Sequence, residues 1–149
     1  MVKMLDYPRL IAAQIAAAVG DGLEFNGETL TAANVFSEAN PSREWLGEPT
    51  VEVDETEVVT KAYINGASRD VVTVVVLVRT VQRKSASMFA LWLTQNVVEP
   101  FLDEFSDAEN IDGYAFDGVA VASDVRNLSV GETFAARLTY TIHERKYFI

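Results

Sequence analysis

The run Val71–Val78 limits the fold more than any other part of the chain. It reads Val-Val-Thr-Val-Val-Val-Leu-Val, so it is β-branched and apolar at consecutive positions. Such a run predicts a strand with two apolar faces, which usually lies in the centre of a sheet with both faces covered. Helices of one chain can cover one face, and the second is open to a partner subunit.

Two segments have the periodicity of helices. The first covers Tyr7–Val19, with Asp6 as a plausible N-cap, Pro8 in the first turn and Gly20 as the stop. The second covers about Ala86–Phe105, with Ser85 or Ser87 as its cap. Its apolar stripe is predicted to comprise Met88, Leu91, Trp92, Gln95, Val98, Leu102 and Phe105.

The second helix has two further expectations. Pro100 should kink or divide it near Val97–Glu99, because proline removes a helical hydrogen bond. Its apolar side chains should pack on one of the two valine sets of the central strand. The helix residues are Met88, Leu91, Trp92, Val98 and Leu102, and the sets are Val72, Val74, Val76 and Val78, or Val71, Val75 and Leu77.

The other elements are strands and one irregular segment. Strands are predicted over Thr50–Asp54, Glu57–Ile64, Asp70–Val81, about Tyr114–Ala122 and about Glu132–Tyr147, with a turn at Asn65–Ser68. Gly20–Pro49 has no period and is interpreted as an irregular loop with a turn at Asn26-Gly27. This order predicts an α+β fold: a largely antiparallel sheet packed by an N-terminal helix and one long amphipathic helix. With 149 residues, we expect a single domain over residues 1–149.

Composition excludes several function classes. The 22 acidic and 12 basic residues give a net charge of −10, which disfavours broad attraction to nucleic acid or anionic lipid. The absence of cysteine excludes disulfides and thiolate chemistry, and a single histidine leaves little for acid–base catalysis. We find neither a signal-peptide pattern nor an apolar run long enough to cross a membrane, so we expect synthesis in the cytoplasm.

Several short motifs come close to catalytic or binding signatures without matching them. Gly20-Asp-Gly22 begins like a dinucleotide fingerprint, but Phe25 replaces the third glycine and a helix precedes it. Gly66-Ala-Ser68 precedes a strand, whereas a nucleophile elbow follows one. His143-Glu144 lacks the second histidine of a zincin. We therefore predict no catalytic residue and no cofactor-binding residue.

The acidic stretch after the second helix resembles a calcium loop only in part. In Asp107-Ala-Glu109-Asn-Ile-Asp112-Gly113 an isoleucine takes the fifth position, and no glutamate closes the loop at Gly118. We interpret the stretch as an acidic turn, with an adventitious surface calcium as the alternative. The pair Asp103/Glu104 is not distinguished from other carboxylates. We predict no dedicated metal site.

Charge is segregated along the chain. No lysine or arginine occurs between Lys84 and Arg126, whereas many acidic residues do, and a second acidic cluster lies between Glu48 and Glu57. Basic residues concentrate elsewhere, at Arg79, Arg83, Lys84, Arg137, Arg145 and Lys146. One interpretation is a solvated acidic surface. The other is an acidic edge of one subunit that meets a basic edge of the next, and such head-to-tail contacts can close into rings.

Taken together, the chain resembles the neck and tail-completion proteins of long-tailed bacteriophages, which include tail terminators and head–tail joining proteins. The resemblance covers most of the chain and rests on the N-terminal helix, the polar loop with Pro41 and Pro49, the strand Asp70–Val81, the helix Ala86–Phe105 and the closing β segment. It implies a structural virion protein rather than an enzyme. It also implies a homo-oligomeric ring, commonly a hexamer, that caps the tail tube and contacts the head connector, while DNA passes through without specific binding.

Two other classes stay open. One is a small α+β ligand-binding or carrier domain, in which Trp45 or Trp92 lines a pocket. The other is a hydrolase or isomerase that uses an isolated Asp or Glu together with His143. A carrier should be a monomer or dimer, a ring protein can reach a hexamer, and an enzyme should show a deep pocket around a carboxylate.

Overall fold

A five-stranded sheet with helices on one face organises the chain. The computed structural model describes residues 5–38, 40, 43–62, 67–108, 111–124 and 132–147. In chain order the elements are α1 (Tyr7–Val19), β1 (Leu23–Phe25), β2 (Glu28–Leu30), a 3₁₀ turn (Ala32–Asn34), β3 (Val35–Phe36), β4 (Thr50–Ala62), β5 (Ala67–Thr80), α2 (Arg83–Leu93), a π-helical turn (Thr94–Val98), α3 (Glu99–Ala108), β6 (Ile111–Asp124) and β7 (Thr133–Tyr147). The predicted α+β class is confirmed.

The strand order in the large sheet is β3-β4-β5-β7-β6. All neighbours are antiparallel except β3, which runs parallel to the start of β4. The Val-rich strand β5 is therefore the middle strand, as its two apolar faces predict. Its even-numbered valines (Val72, Val74, Val76 and Val78) are buried together with Ala136, Leu138, Tyr140 and Ile142 of β7.

The prediction of two strands over Thr50–Asp54 and Glu57–Ile64 is wrong. Residues Thr50–Ala62 form the single strand β4, whose pairing register with β5 shifts between Glu55 and Glu57, and residues 63 and 64 lie outside the described residues. A bulge inserts an extra residue without ending the ladder, so the local loss of alternation does not mark a strand end. Of the predicted turn, residues 65 and 66 lie outside the described residues, and Ala67 and Ser68 already belong to β5.

The segment Gly20–Pro49 is not irregular throughout. Asn26 and Gly27 have φ values of 52° and 78°, so they form the predicted turn, but the turn joins the small hairpin β1–β2. Two consecutive left-handed residues are typical of tight hairpins. Leu30 of this hairpin is fully buried. The hairpin thus belongs to the hydrophobic core that the helices and the sheet share.

The first helix has the predicted bounds and caps. The Asp6 carboxylate accepts a hydrogen bond from the backbone N–H of Arg9 at 3.2 Å, which satisfies one of the free donors of the first turn. Gly20 ends the helix with φ 58°. Tyr7, Ile11 and Ile15 are buried on its inner side.

The long helix begins earlier than predicted, and neither Ser85 nor Ser87 caps it. Its N-cap is Gln82, which makes no side-chain cap hydrogen bond, and Ser85 is buried inside the helix. The carboxylate of Glu28 on β2 accepts instead, from the backbone N–H of Val81 at 2.7 Å and of Gln82 at 3.2 Å. A remote carboxylate thus satisfies backbone donors at the positive end of the helix dipole.

We expect Glu28→Ala to lower the free energy of unfolding by about 2–3 kcal/mol. The reason is that two hydrogen bonds to a buried carboxylate would be lost, and such bonds are worth about 1.5–3 kcal/mol each before the site relaxes. Urea unfolding followed by circular dichroism would measure the loss. Glu24→Ala is the matched control because Glu24 is exposed on the same hairpin. Equal losses in both variants would contradict the capping role.

The irregularity of the long helix lies just before Pro100. The helix widens into a π-helical turn over Thr94–Val98, where the backbone N–H of Glu99 bonds to the carbonyl of Thr94. Pro100 has no N–H to offer to the carbonyl of Asn96, so the regular α ladder cannot continue there. The sequence predicts a kink or division near Val97–Glu99, and the π-helical turn divides the α-helix over Thr94–Val98, which overlaps that position.

The helix face turned to the sheet differs from the predicted stripe. Val98 and Leu102 are fully buried, as expected, but Leu91 is 47% exposed, and Met88 and Trp92 are only half-buried. The buried apolar positions are Ala86, Phe89, Ala90, Leu93, Val97, Val98 and Leu102. Of the two valine sets, Val72, Val74, Val76 and Val78 are the ones buried beneath the helices.

Candidate functional site

The helices cover one face of the sheet, and most of the other face carries no element that the structure describes. We call these the covered face and the open face. On β5 the open face presents Val71, Thr73, Val75 and Leu77, all half-buried. On the neighbouring strands it is more exposed, with Val59 at 41% and with Ala115, Ala120 and Ala122 of β6 exposed. An apolar central strand that one layer of helices leaves uncovered is the main candidate for an interaction surface.

A shallow groove of about 150 Å³ crosses the middle of the open face. Val75 and Leu77 line it on β5, Glu52 and Asp54 on β4, and Arg137 on β7. Leu77 is the cross-strand partner of both Glu52 and Arg137, so an acidic wall and a basic wall flank the apolar strand. Neither Asp54 nor Arg137 has an ion-pair partner in the described parts of the chain.

The segment that precedes β4 folds over one edge of the open face. The guanidinium of Arg43 lies 3.6 Å from the centre of the Phe36 ring, and Arg43 Nη1 lies 3.5 Å from Glu52 Oε1. Trp45 is buried, at 6% exposure, but does not belong to the hydrophobic core cluster. Leu46 beside it is 78% exposed. This segment holds Glu52 of the acidic wall in place, because Glu52 also accepts a hydrogen bond from the backbone N–H of Asn40.

Two carboxylates are buried on the covered face. Asp70 and Glu144 are direct cross-strand partners on β5 and β7, with exposures of 3% and 5%. Tyr7 on α1 donates a hydrogen bond of 2.5 Å to Glu144, and Thr60 donates one of 2.8 Å to Asp70. Burial, then the bond to Glu144, raises the pKa of Tyr7 above its ordinary value. This arrangement anchors the start of α1 to the sheet.

Two further tyrosines on the covered face, Tyr114 and Tyr140, have raised pKa values. Tyr140 is fully buried and shares a hydrogen bond with Thr94, a residue of the π-helical turn. Burial raises the pKa of Tyr140, although the Thr94 bond acts in the opposite direction. Tyr114 donates to Asp103 at 3.0 Å, and burial, then this bond, raises its pKa to about 12. These phenols hold their protons in the folded chain: Tyr7 and Tyr114 donate to carboxylates, and Tyr140 bonds to the Thr94 hydroxyl.

The structure does not bring His143 together with the buried carboxylates. His143 lies opposite Val71 and Gly113 on the open face, whereas its neighbour Glu144 points to the covered face, because strand residues alternate. Asp112 of the acidic stretch lies 2.6 Å from both Arg69 and Arg145. It therefore compensates two cross-strand arginines. Glu109 and Asn110 lie outside the described residues, as does Gly66 of the Gly66-Ala-Ser68 motif.

The two ends of the long helix carry opposite charge. Arg83 and Lys84 are exposed at its start, and Asp103 and Glu104 are exposed near its end. Sequence reasoning grouped Arg79 with the basic surface, but Arg79 is only 4% exposed, so the exposed basic end consists of Arg83 and Lys84. The acidic wall and Arg137 were not singled out as a site. Glu52 and Asp54 belong to the second acidic cluster of the sequence and Arg137 to its basic residues, but neither signal says which strands become neighbours.

The described residues contain no group of three histidine, aspartate or glutamate side chains placed to hold a metal ion. In the same residues, no helix combines the length and the apolar character needed to cross a membrane. The sequence matches no protein-family model and no curated protein.

Proposed function

We propose that this chain is a structural component of the neck of a long-tailed phage virion: a ring-forming tail terminator or head–tail joining protein. In that role it would cap the tail tube and join it to the head. The observation that carries the proposal is the separation of charge along the long helix. The resemblance described above and the single helical layer on the sheet support it.

The charges on the helix reinforce its dipole instead of opposing it. Basic residues are unfavourable at a helix N-terminus and acidic residues at a C-terminus, by about 0.3–1 kcal/mol each. From Lys84 to Asp103 the helix spans about 30 Å at ~1.5 Å per residue, far beyond the Debye length of ~8 Å at physiological salt. The two ends therefore cannot neutralise each other within one chain.

Contact between copies would relieve both ends. When the Arg83/Lys84 end of one copy meets the Asp103/Glu104 end of the next, opposite charges pair, and the acidic C-terminal end of the helix gains basic neighbours. This contact is head-to-tail, because two different surfaces meet, and head-to-tail contacts close into rings when the rotation permits. The net charge of −10 fits a ring that DNA crosses without binding to it.

The acidic end has a second possible placement, toward the bore of the ring. The two placements respond oppositely to salt. Pairs between subunits weaken as salt screens them, to a Debye length of ~3 Å at 1 M. Carboxylates that line a bore repel each other, so salt would strengthen that ring. Sedimentation over a salt series at several protein concentrations therefore decides which placement holds.

Charge reversal tests the ring contact directly. We expect Arg83→Glu/Lys84→Glu and, separately, Asp103→Lys/Glu104→Lys to abolish ring formation, and an equimolar mixture of the two variants to restore mixed association. Sedimentation velocity measures assembly, with purified tail-tube protein as a template because the free subunit can be monomeric. Arg9→Glu is the control, since Arg9 is exposed on α1.

Two results would contradict the proposal. One is a chain that never joins tail-tube or head-connector protein under any condition. The other is tight binding of duplex DNA at physiological salt, which a passive neck ring should not show.

A further inference from the structure

We infer that two copies of this chain pair through the open face of the sheet, about a two-fold axis that runs along β5. This inference goes beyond the proposed ring. It uses the side of the sheet opposite the long helix, and it follows from the groove that Val75, Leu77, Asp54 and Arg137 line.

The order of charges across the sheet selects this symmetry. The acidic wall lies on β4, one strand to one side of β5, and Arg137 lies on β7, one strand to the other side. A two-fold axis along β5 exchanges the two sides, so Arg137 of each copy lies over the acidic wall of the other. Val75 and Leu77 then face the same residues of the second copy. One contact pattern thus occurs twice, as a closed two-fold interface requires.

The dimensions of the face suit a small interface. An axis along β5 places β4 of each copy over β7 of the other, whereas β6 lies over β3, which has two residues, so three long strands of each copy overlap. At ~4.8 Å spacing and about ten residues of paired length, three strands form a face of about 10–14 Å by about 33 Å. That is roughly 330–460 Å² per copy and about 650–900 Å² for a pair, the size of a weak interface.

The side chains on the face fit a second sheet. Packed sheets lie about 10 Å apart, and an arginine can reach a carboxylate across that distance. On the β6 side of the face, Ala115, Ala120 and Ala122 are small and leave room for close approach, whereas Asp112 stands at one end of the face between Arg69 and Arg145. Burial of Val75 and Leu77 would add apolar contact at the centre, and the two unpaired charges would each gain a partner.

A charge-swap experiment tests the pairing. The variants are Arg137→Asp and Asp54→Arg, each made on the Arg83→Glu/Lys84→Glu background so that the helix-end contact does not contribute. The background protein should pair, and each variant alone should pair about 10–100-fold more weakly, since like charges then face each other twice. An equimolar mixture should recover the pair, because an acidic side chain of one variant then faces a basic side chain of the other at both contacts. Native mass spectrometry should show one chain of each kind.

The mixture separates lost pairing from failure to fold. A chain that does not fold is not rescued by its complement, and circular dichroism of each variant checks the fold directly. Arg9→Asp on the same background is the control and should pair like the background protein. A background protein that stays monomeric at the highest accessible concentration would overturn the inference, as would folded variants whose mixture does not associate. Neither result bears on the ring, whose test uses Arg83, Lys84, Asp103 and Glu104.

Discussion

Replacing Phe89 by alanine is expected to lower the free energy of unfolding by about 3–5 kcal/mol. Phe89 lies on α2, is fully buried, and packs edge-on against Phe25 of the hairpin with ring centres 5.0 Å apart. Truncation of a buried phenylalanine removes its transfer free energy and leaves a cavity, which together cost that much. Urea unfolding at constant pH, with the denaturant dependence compared between variants, measures the loss.

The control distinguishes the true core face from the face that the sequence favours. Leu91 is two residues further along the same helix and is 47% exposed, so Leu91→Ala should cost less than about 1 kcal/mol. Trp92 is half-buried, so the cost of Trp92→Ala should lie between the costs of these two substitutions. If Leu91→Ala cost as much as Phe89→Ala, the assignment of faces on α2 would be wrong.

The predicted helical stripe is wrong for a specific physical reason. The large residues Met88, Leu91 and Trp92 have helical spacing. The side of the helix turned to the sheet holds Ala86, Phe89 and Ala90 instead, and these side chains are on average smaller than the three of the predicted stripe. Small side chains let a helix approach a sheet closely, so residue size is a poor guide to the buried face. The π-helical turn then shifts the register of everything that follows, since it accommodates one extra residue. Val98 and Leu102 satisfy both patterns.

Local signals predicted the features that depend on local physics. The bounds of α1, its Asp6 cap, the turn at Asn26 and the central position of β5 all follow from side chains a few residues apart. The cap of α2 could not be predicted in this way. Glu28 is 53 residues from Val81 in sequence, and only the docking of the hairpin brings its carboxylate to the helix.

In the candidate site, too, local sequence patterns predicted some features, whereas features that depend on distant parts of the chain could not be predicted. The sequence indicated that β5 has a second apolar face and that charge is segregated. It could not show that Asp54 and Arg137 flank β5, because that depends on β4 and β7 being its neighbours. It also placed Arg79 on the basic surface. Folding buries Arg79, so the helix end holds only Arg83 and Lys84.

A fall in stability above pH 10 is the second large effect that we expect. The buried phenols of Tyr7 and Tyr140 have pKa values raised above 10.0, mainly by burial. Above pH 10 the unfolded chain loses these protons while the folded chain keeps them. The unfolded state then binds fewer protons, so the free energy of unfolding decreases as pH rises. Each group contributes up to about 1.4 kcal/mol per pH unit, or about 2.7 kcal/mol for the two together.

Tyr7→Phe isolates one of these contributions. Urea unfolding at intervals between pH 8 and pH 12 should give a slope that is smaller by about 1.4 kcal/mol per pH unit in the variant, because phenylalanine has no proton to lose. The comparison uses the slopes, so the neutral-pH cost of losing the Glu144 hydrogen bond does not enter it. Absorbance of the phenolate in the folded protein gives an independent check: Tyr114 should titrate near pH 12, and Tyr7 and Tyr140 only as the chain unfolds. Titration of all three near pH 10 in the folded state would mean that α1 and the π-helical turn do not pack on β7 as described.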